Sequence, residues 1–290
     1  MDGRKQRGDS RWALWRHTAS RSAGLFLIGF VLNLLPNWDW EHVRIMGVLQ
    51  RIGLCYLLGA AVYLFCGVRG QAIVAGGLIL GYWVAMTRIP VPGYGPGHLE
   101  KVGNLAQWID SQALAGHMWA PAKFWDPEGL LSTLPATANV LLGALAGALW
   151  RSQNVYGIAG LGGLMTVSAL FWDQSFPINK PLWTSSYVLL TCGLASLVFY
   201  ALWWVVDVHG WTRWSQPVEA LGRNALASFV GSGLVARLLA HTGAQAWIMR
   251  EILAPLAQPV DASLIYALAL ASLFILLCVW LDRRRIYLRL

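Results

Sequence analysis

Eight runs of mostly apolar residues, each about as long as the ~20 residues a helix needs to cross a bilayer core, constrain this chain more than any other feature. They fall at 22–38, 46–66, 71–89, 130–150, 155–173, 183–206, 217–240 and 261–281. Backbone N–H and C=O groups at membrane depth must be satisfied within the protein, so runs of this length predict helices. Composition agrees: 57% of residues are hydrophobic and 12% charged, about half the usual charged share of a globular domain. Such a chain cannot cover its own surface with polar groups, and the surplus apolar surface faces lipid. The expected fold is all-α, a polytopic transmembrane helical bundle of about eight spans. Residues 1–21 form a basic cytoplasmic segment, 22–281 a single transmembrane domain, and 282–290 a basic cytoplasmic tail.

Orientation follows from lysine and arginine, which accumulate on the cytoplasmic side of short loops. With the N-terminus inside, that side holds Arg4, Lys5, Arg7, Arg11, Arg16, Arg21, Arg69, Arg151, Arg213, Arg283, Arg284, Arg285 and Arg289. The outer side holds Arg44, Arg51, Arg88, Lys101, Lys123, Lys180 and Arg250. Both termini are therefore expected in the cytoplasm, and the long loop 90–129 outside. The net charge of +8 is accounted for at span ends, so the bilayer rather than nucleic acid is the expected partner. Cys55, Cys66, Cys192 and Cys278 lie in or beside apolar runs without metal-ligand spacing and read as small buried hydrophobes; no metal site is expected. The loop 90–129 is rich in apolar and aromatic residues (Trp108, Met118, Trp119, Phe124, Trp125), which predicts a packed loop.

An ionisable group at membrane depth is costly and marks a candidate site. In Val43–Tyr56 a continuous helix would place Arg44, Gly47, Arg51 and Cys55 on one face with Gln50 beside them, a pair of guanidiniums suited to a phosphate or carboxylate. The alternative is that Arg44 snorkels outward and Arg51 pairs with Asp126. In Trp125–Asn139, Asp126-Pro127-Glu128 has the chemistry of a helix start. Glu128, Ser132, Pro135 and Asn139 then recur at helical spacing, with Pro135 expected to free the Leu131 carbonyl inside the membrane. Gly143 and Gly147 form a GxxxG pair assigned to helix packing. Asn179 and Lys180 precede Thr184, Ser185 and Ser186 at an outer span end and could line a pocket mouth. Arg223 and Asn224 sit near the cytoplasmic end of a span, where a phosphate site or an ordinary inside-facing charge are both open. His117, alone in the long loop, reads as structural. No HExxH, GxSxG or phosphate-loop motif occurs, so no soluble-enzyme site is available.

In their order, Arg44–Tyr56 (RIMGVLQRIGLCY), Asp126–Pro135 (DPEGLLSTLP), Ile178–Tyr187 (INKPLWTSSY), Val206–Gly210 (VDVHG) and Gly222-Arg223-Asn224 resemble the heparan-α-glucosaminide N-acetyltransferase family, most of all its bacterial NagX-like branch, associated with amino-sugar use. The resemblance runs from about Arg7 to the C-terminus. It implies a multi-pass inner-membrane acyltransferase that takes acetyl from acetyl-CoA and passes it to a glucosamine-type amine across the membrane. A cofactor-binding or substrate pocket would draw on Arg44, Gln50, Arg51, Asp126, Glu128, Ser132, Asn139, Asn179, Lys180, Arg223 and Asn224. Family members carry their catalytic histidine in a segment like HAxWNGxTxxDLVFP, between two further spans. Nothing in this chain matches that segment, so no catalytic residue is identified, and whether the chain as given is active is left open. The competing function is an amino-sugar permease for N-acetylglucosamine, against which the absence of an inverted internal repeat counts. The oligomeric state is left open.

Overall fold

A computed structural model describes residues 8–122 and 124–288. Arg4, Lys5, Arg7, Lys123 and Arg289, part of the charge count above, lie outside the described residues. Among the described residues the structure is all-helical, with no strand beyond an isolated bridge between Val91 and Gly95. The helices are α1 (Arg11–Leu34), α2 (Val48–Phe65), α3 (Val68–Arg88), α4 (Leu105–Ala113), α5 (Thr133–Arg151), α6 (Val155–Trp172), α7 (Ser185–Trp203), α8 (Ser215–Arg223), α9 (Ala225–His241), α10 (Ala244–Trp247) and α11 (Pro259–Arg283). Wide π-type turns extend α7 over Trp204–Val208 and α10 over Ile248–Leu253.

Among the described residues, six helices are long and apolar enough to cross a membrane: α2, α3, α5, α6, α7 with its extension, and α11. The count becomes seven if α9 and the α10 segment, bent by 78° at their junction, form one broken span. The first run, 22–38, corresponds to α1 (Arg11–Leu34), which does not meet that criterion. The run at 217–240 is two helices, broken at Asn224. Large apolar side chains such as Ile73, Leu164, Phe171 and Leu276 stand exposed on the spans, the surface a lipid solvent requires.

The chain packs as two compact units, one of Met1–Asn33 and Asp39–Trp203, the other of Leu34–Trp38 and Trp204–Leu290, over their described residues. In the first, α6 and α7 form the most intimate pair. A Cβ added at Gly193 would lie 2.7 Å from the Thr166 backbone nitrogen, and one at Gly162 would lie 3.0 Å from the Gly193 carbonyl. Glycine at both positions lets the backbones touch, which is how helices associate where no hydrophobic force separates them from lipid. The α5–α6 turn is closed by Asn154, whose side chain accepts the Gly157 N–H at 2.9 Å.

The loop 90–129 is packed, as expected. Its helix α4 is capped by Asn104, which accepts the Gln107 N–H at 2.8 Å. Leu105 and Ala106 join Tyr82, Met86, Val91, Phe176 and Leu182 in a core at one end of the unit. Tyr82 donates its hydroxyl to the Leu182 carbonyl at 2.6 Å, and Ser185 donates to the Ile79 carbonyl at 2.7 Å. These bonds tie the segment before α7 to α3.

In the second unit α8 and α11 are braced by Arg223, which donates to both Asp282 oxygens at 2.9 Å and to Glu219 at 2.7 Å.

Candidate functional site

The site begins where the chain enters α2. Val43–Gly47 is irregular, so the expected single helical face through Arg44 does not exist: α2 starts at Val48. Arg44 is held there by its backbone, whose carbonyl accepts the Asn33 side-chain N–H at 2.9 Å. Next to it, the Ile45 N–H donates to the His117 carbonyl at 3.0 Å, and His117 Nδ1 lies 2.9 Å from the Val43 carbonyl. His117 is thus a brace for this segment, in line with its structural reading.

The guanidinium of Arg44 meets both acids of the Asp126-Pro127-Glu128 motif. Nε donates to Asp126 Oδ2 at 2.8 Å, Nη2 to Asp126 Oδ1 at 2.5 Å, and Nη2 also to Glu128. Burial opposes the charge on Arg44, but the two carboxylates outweigh it and raise its pKa above the ordinary arginine value. Arg44 neither snorkels outward nor leaves Asp126 to Arg51.

Asp126 and Glu128 do not start a helix. Asp126 instead closes a turn by accepting the Glu128 N–H at 2.9 Å, and α5 begins at Thr133 after Ser132. Pro135 therefore falls in the first turn of α5, where its missing N–H would have had no partner within the helix. The Leu131 carbonyl that Pro135 was expected to free is taken by the Leu134 N–H at 3.1 Å. This shift of the helix start corrects the expected polar stripe, yet Ser132 and Asn139 still face the interior.

Arg51, one turn into α2, is 4% exposed. It donates through Nη2 to Ser132 Oγ and lies 4.6 Å over the Trp183 ring. Its Nε and Nη1 have no hydrogen-bond partner, and neither has Nε2 of neighbouring Gln50. Three buried donors without acceptors are unusual, because each forfeits its hydration for nothing. Trp183 in turn donates Nε1–H to Asn139 Oδ1 at 2.9 Å, while Asn139 Nδ2 reaches Cys192 Sγ at 3.0 Å and Thr191 Oγ1 at 3.3 Å. Arg51, Ser132, Trp183 and Asn139 thus form one connected patch from α2 to α7.

Asn139 also borders an apolar cavity of about 570 Å³ between α5, α6 and α7, lined by Gly143, Gly147, Trp150, Cys192 and Phe199 among others. Gly143 and Gly147 were expected to seat a neighbouring helix. A Cβ at Gly143 would meet nothing within 4 Å, and one at Gly147 only the Arg151 side chain. Their role in this fold is to widen the cavity.

The side chains of Asn179 and Lys180 make no bond to the patch, and Arg223 and Asn224 belong to the second unit. Asn179 is a turn residue: its side chain accepts the Leu182 N–H at 3.1 Å and its carbonyl the Thr184 N–H at 3.2 Å. It sets the loop that delivers Trp183. Lys180 is exposed. Arg223 is committed to Asp282 and Glu219, and Asn224 is fully buried with both side-chain amide atoms unpaired.

Two contributors escaped the sequence reading. Trp183 links Arg51 to Asn139, and Asp110 on α4 sits behind the Asp126–Gly129 turn, 1% exposed. Asp110 accepts the Leu130 N–H at 2.9 Å. Its place was readable: it stands four residues from both Ala106 and Leu114, two buried positions on the apolar face of α4. Burial pushes its pKa up to about 7. Gly129 fits against it, and a Cβ at Gly129 would fall on the Asp110 carboxyl. Gly129→Ala is accordingly expected to lower stability by about 2 kcal/mol, the range for overpacking a tight site, readable as a lower melting temperature in detergent.

No family model matches the chain. Over 78% of its length it is 29% identical to heparan-alpha-glucosaminide N-acetyltransferase of Homo sapiens and 28% identical to that of Mus musculus. The chain is thus similar to these N-acetyltransferases over most of its own length. It spans 43% of the length of these curated relatives, so less than half of such an N-acetyltransferase is represented by the two units described above.

Proposed function

We propose that this chain is the core of a transmembrane acetyltransferase that passes an acetyl group from acetyl-CoA to the amine of a glucosamine-type sugar. One observation carries the reading: three of the segments that resemble the N-acetyltransferase family, Arg44–Tyr56, Asp126–Pro135 and Ile178–Tyr187, meet around Arg51, a buried cation with two N–H groups unpaired. The surrounding chemistry suits an acyl donor. The free N–H groups of Arg51 can receive a carbonyl or phosphate oxygen, and a guanidinium does so with fixed geometry. Acetyl-CoA supplies an activated thioester carbonyl. Trp183 and Ser132 hold the Arg51 guanidinium in place, and the cavity beyond Asn139 offers an apolar space, in the size range of small-molecule sites, that keeps out water able to hydrolyse a thioester.

The excess of arginine at one set of span ends supports cytoplasmic termini, with the 90–129 loop and its Arg44–Asp126–Glu128 cluster on the outer face. A bacterial inner membrane is the setting this reading favours.

The test is reconstitution of the complete gene product in proteoliposomes with radiolabelled acetyl-CoA and glucosamine on opposite sides. The expected result is acetyl-CoA-dependent formation of N-acetylglucosamine. Uptake of N-acetylglucosamine without acetyl-CoA, and no acetylation, would replace the transferase by a permease. In the active preparation Trp183→Phe, which keeps the ring over Arg51 but loses the bond to Asn139, should lower kcat/KM by roughly five- to tenfold, the effect of one buried hydrogen bond.

A further inference from the structure

Three carboxyls and two guanidiniums lie close together at the site: Asp110, Asp126 and Glu128 against Arg44 and Arg51. Asp126 and Glu128 both pair with Arg44. That leaves Asp110, which accepts the Leu130 N–H, and Arg51, which has Ser132 and the Trp183 ring. The charged and titratable groups within electrostatic reach of Asp110 are Asp126 on its own side of the bundle, Arg51 from α2 and Tyr82 from α3. An ionised Asp110 is repelled by Asp126 and attracted by Arg51; a protonated one leaves Arg51 to the fields of Glu128 and Asp126.

We propose that Asp110 is the positioning residue of this site, fixing the Asp126–Gly129 turn through Leu130 and, by giving up its proton, weakening the hold of Arg51 on an anionic ligand. Two geometric facts support this. The bond to Leu130 crosses directly over Gly129, so the position of the Asp110 carboxyl sets where the turn leads into Ser132, the partner of Arg51. The same carboxyl is buried beside another acid, a position where the ionised form is disfavoured; burial and Asp126 push its pKa up to about 7, against the pull of Leu130 and Arg51. The sign follows. The folded value lies above the unfolded one, so the contribution of Asp110 to stability is present at low pH and is lost as pH rises through about 7.

The inference rests on the acyl-donor reading for its ligand, and its test separates the two. Acetyl-CoA binding is measured at pH 6 and pH 8 for the complete protein and for Asp110→Asn, which keeps an acceptor oxygen for Leu130 but cannot ionise. The phosphates of acetyl-CoA titrate identically in both experiments, so the difference between the proteins isolates Asp110. The unsubstituted protein should lose about tenfold more affinity over this range than Asp110→Asn, as expected for a unit charge introduced near the ligand in a partly buried site. The same two proteins are titrated by infrared difference spectroscopy without ligand. A protonated-carboxyl carbonyl band that fades near pH 7 and is missing in Asp110→Asn supports the assignment. Asp110→Ala, which loses the grip on Leu130, should bind acetyl-CoA more weakly at both pH values. Equal pH dependence in the unsubstituted protein and Asp110→Asn, or an infrared titration that Asp110→Asn leaves intact, overturns the proposal. If neither protein binds acetyl-CoA, the acyl-donor reading fails, and the infrared titration still decides whether Asp110 carries the proton.

Discussion

Replacing Asp126 by alanine is expected to destabilise the first compact unit by about 3 kcal/mol, the cost of breaking a buried ion pair from one side. Two consequences of the substitution act together. Arg44 loses its bidentate partner, with bonds of 2.5 and 2.8 Å, and the Asp126 side chain that supplied them is fully buried. Glu128 remains on Arg44, which keeps the cost from reaching the top of that range. The turn also loses the acceptor of the Glu128 N–H. Thermal melting in a mild detergent reads the effect. Asp126→Asn keeps an acceptor for the turn but not the charge, and should fall between the parent and Asp126→Ala. The triple variant Arg44→Met, Asp126→Leu and Glu128→Gln should be more stable than Asp126→Ala alone, because it removes the buried cation together with both of its counter-charges. A melting temperature for Asp126→Ala indistinguishable from that of the parent would mean that Arg44 is solvated and the cluster holds nothing in place.

Much of this fold is legible in the sequence because apolar length is the dominant constraint on a membrane helix. Seven of the eight apolar runs each fall on one helix, the run at 217–240 falls on two, and six of the described helices meet the requirements of a span. What hydropathy cannot read is where a helix goes on without being apolar, or stops while still apolar. Helix α1 starts at Arg11, well before its apolar part, because nothing between Arg11 and Arg21 breaks a helix. The run at 217–240 hides the break at Asn224, since that break comes from one residue's backbone and not from any change in apolarity.

The site was legible in its residue types and less so in its geometry. Arg44, Arg51, Asp126, Glu128, Ser132 and Asn139 do come together, but by routes that helical phase did not foresee. Arg44 arrives from an irregular segment pinned by Asn33 and His117, and the acids arrive from a turn ahead of α5. Helical spacing assigns faces only within a helix, and here the helix ends fall inside the motifs. Asp110 and Trp183 depend on tertiary folding of the 90–129 loop and of the turn before α7, and each shows in the sequence only as a polar or aromatic residue at a position of its own segment that turns inward.

Arg51→Met should separate stability from function. Methionine matches the arginine stem in volume and is flexible enough to fill the same space beside Trp183. In the folded chain Arg51 has left water with only one of its donor nitrogens bonded, to Ser132. Replacing a buried charge of this kind by an apolar side chain of similar size is often neutral or stabilising by about 1–4 kcal/mol. The bond to Ser132 is also lost, but Ser132 Oγ keeps the Gly129 carbonyl at 3.2 Å. The variant should therefore melt at or above the temperature of the parent. Its acetyl-CoA binding should fall by about a hundredfold or more, since a charge-assisted hydrogen bond to a buried ligand is worth about 1.5–3 kcal/mol and two are removed. Arg51→Lys, which keeps the charge but not the planar fork, should recover only part of the affinity. A residue kept for structure gives the opposite pattern: Arg51→Met would melt earlier and bind as before. Protein that is both more stable and unable to bind identifies Arg51 as a group whose burial costs the fold stability and serves the ligand.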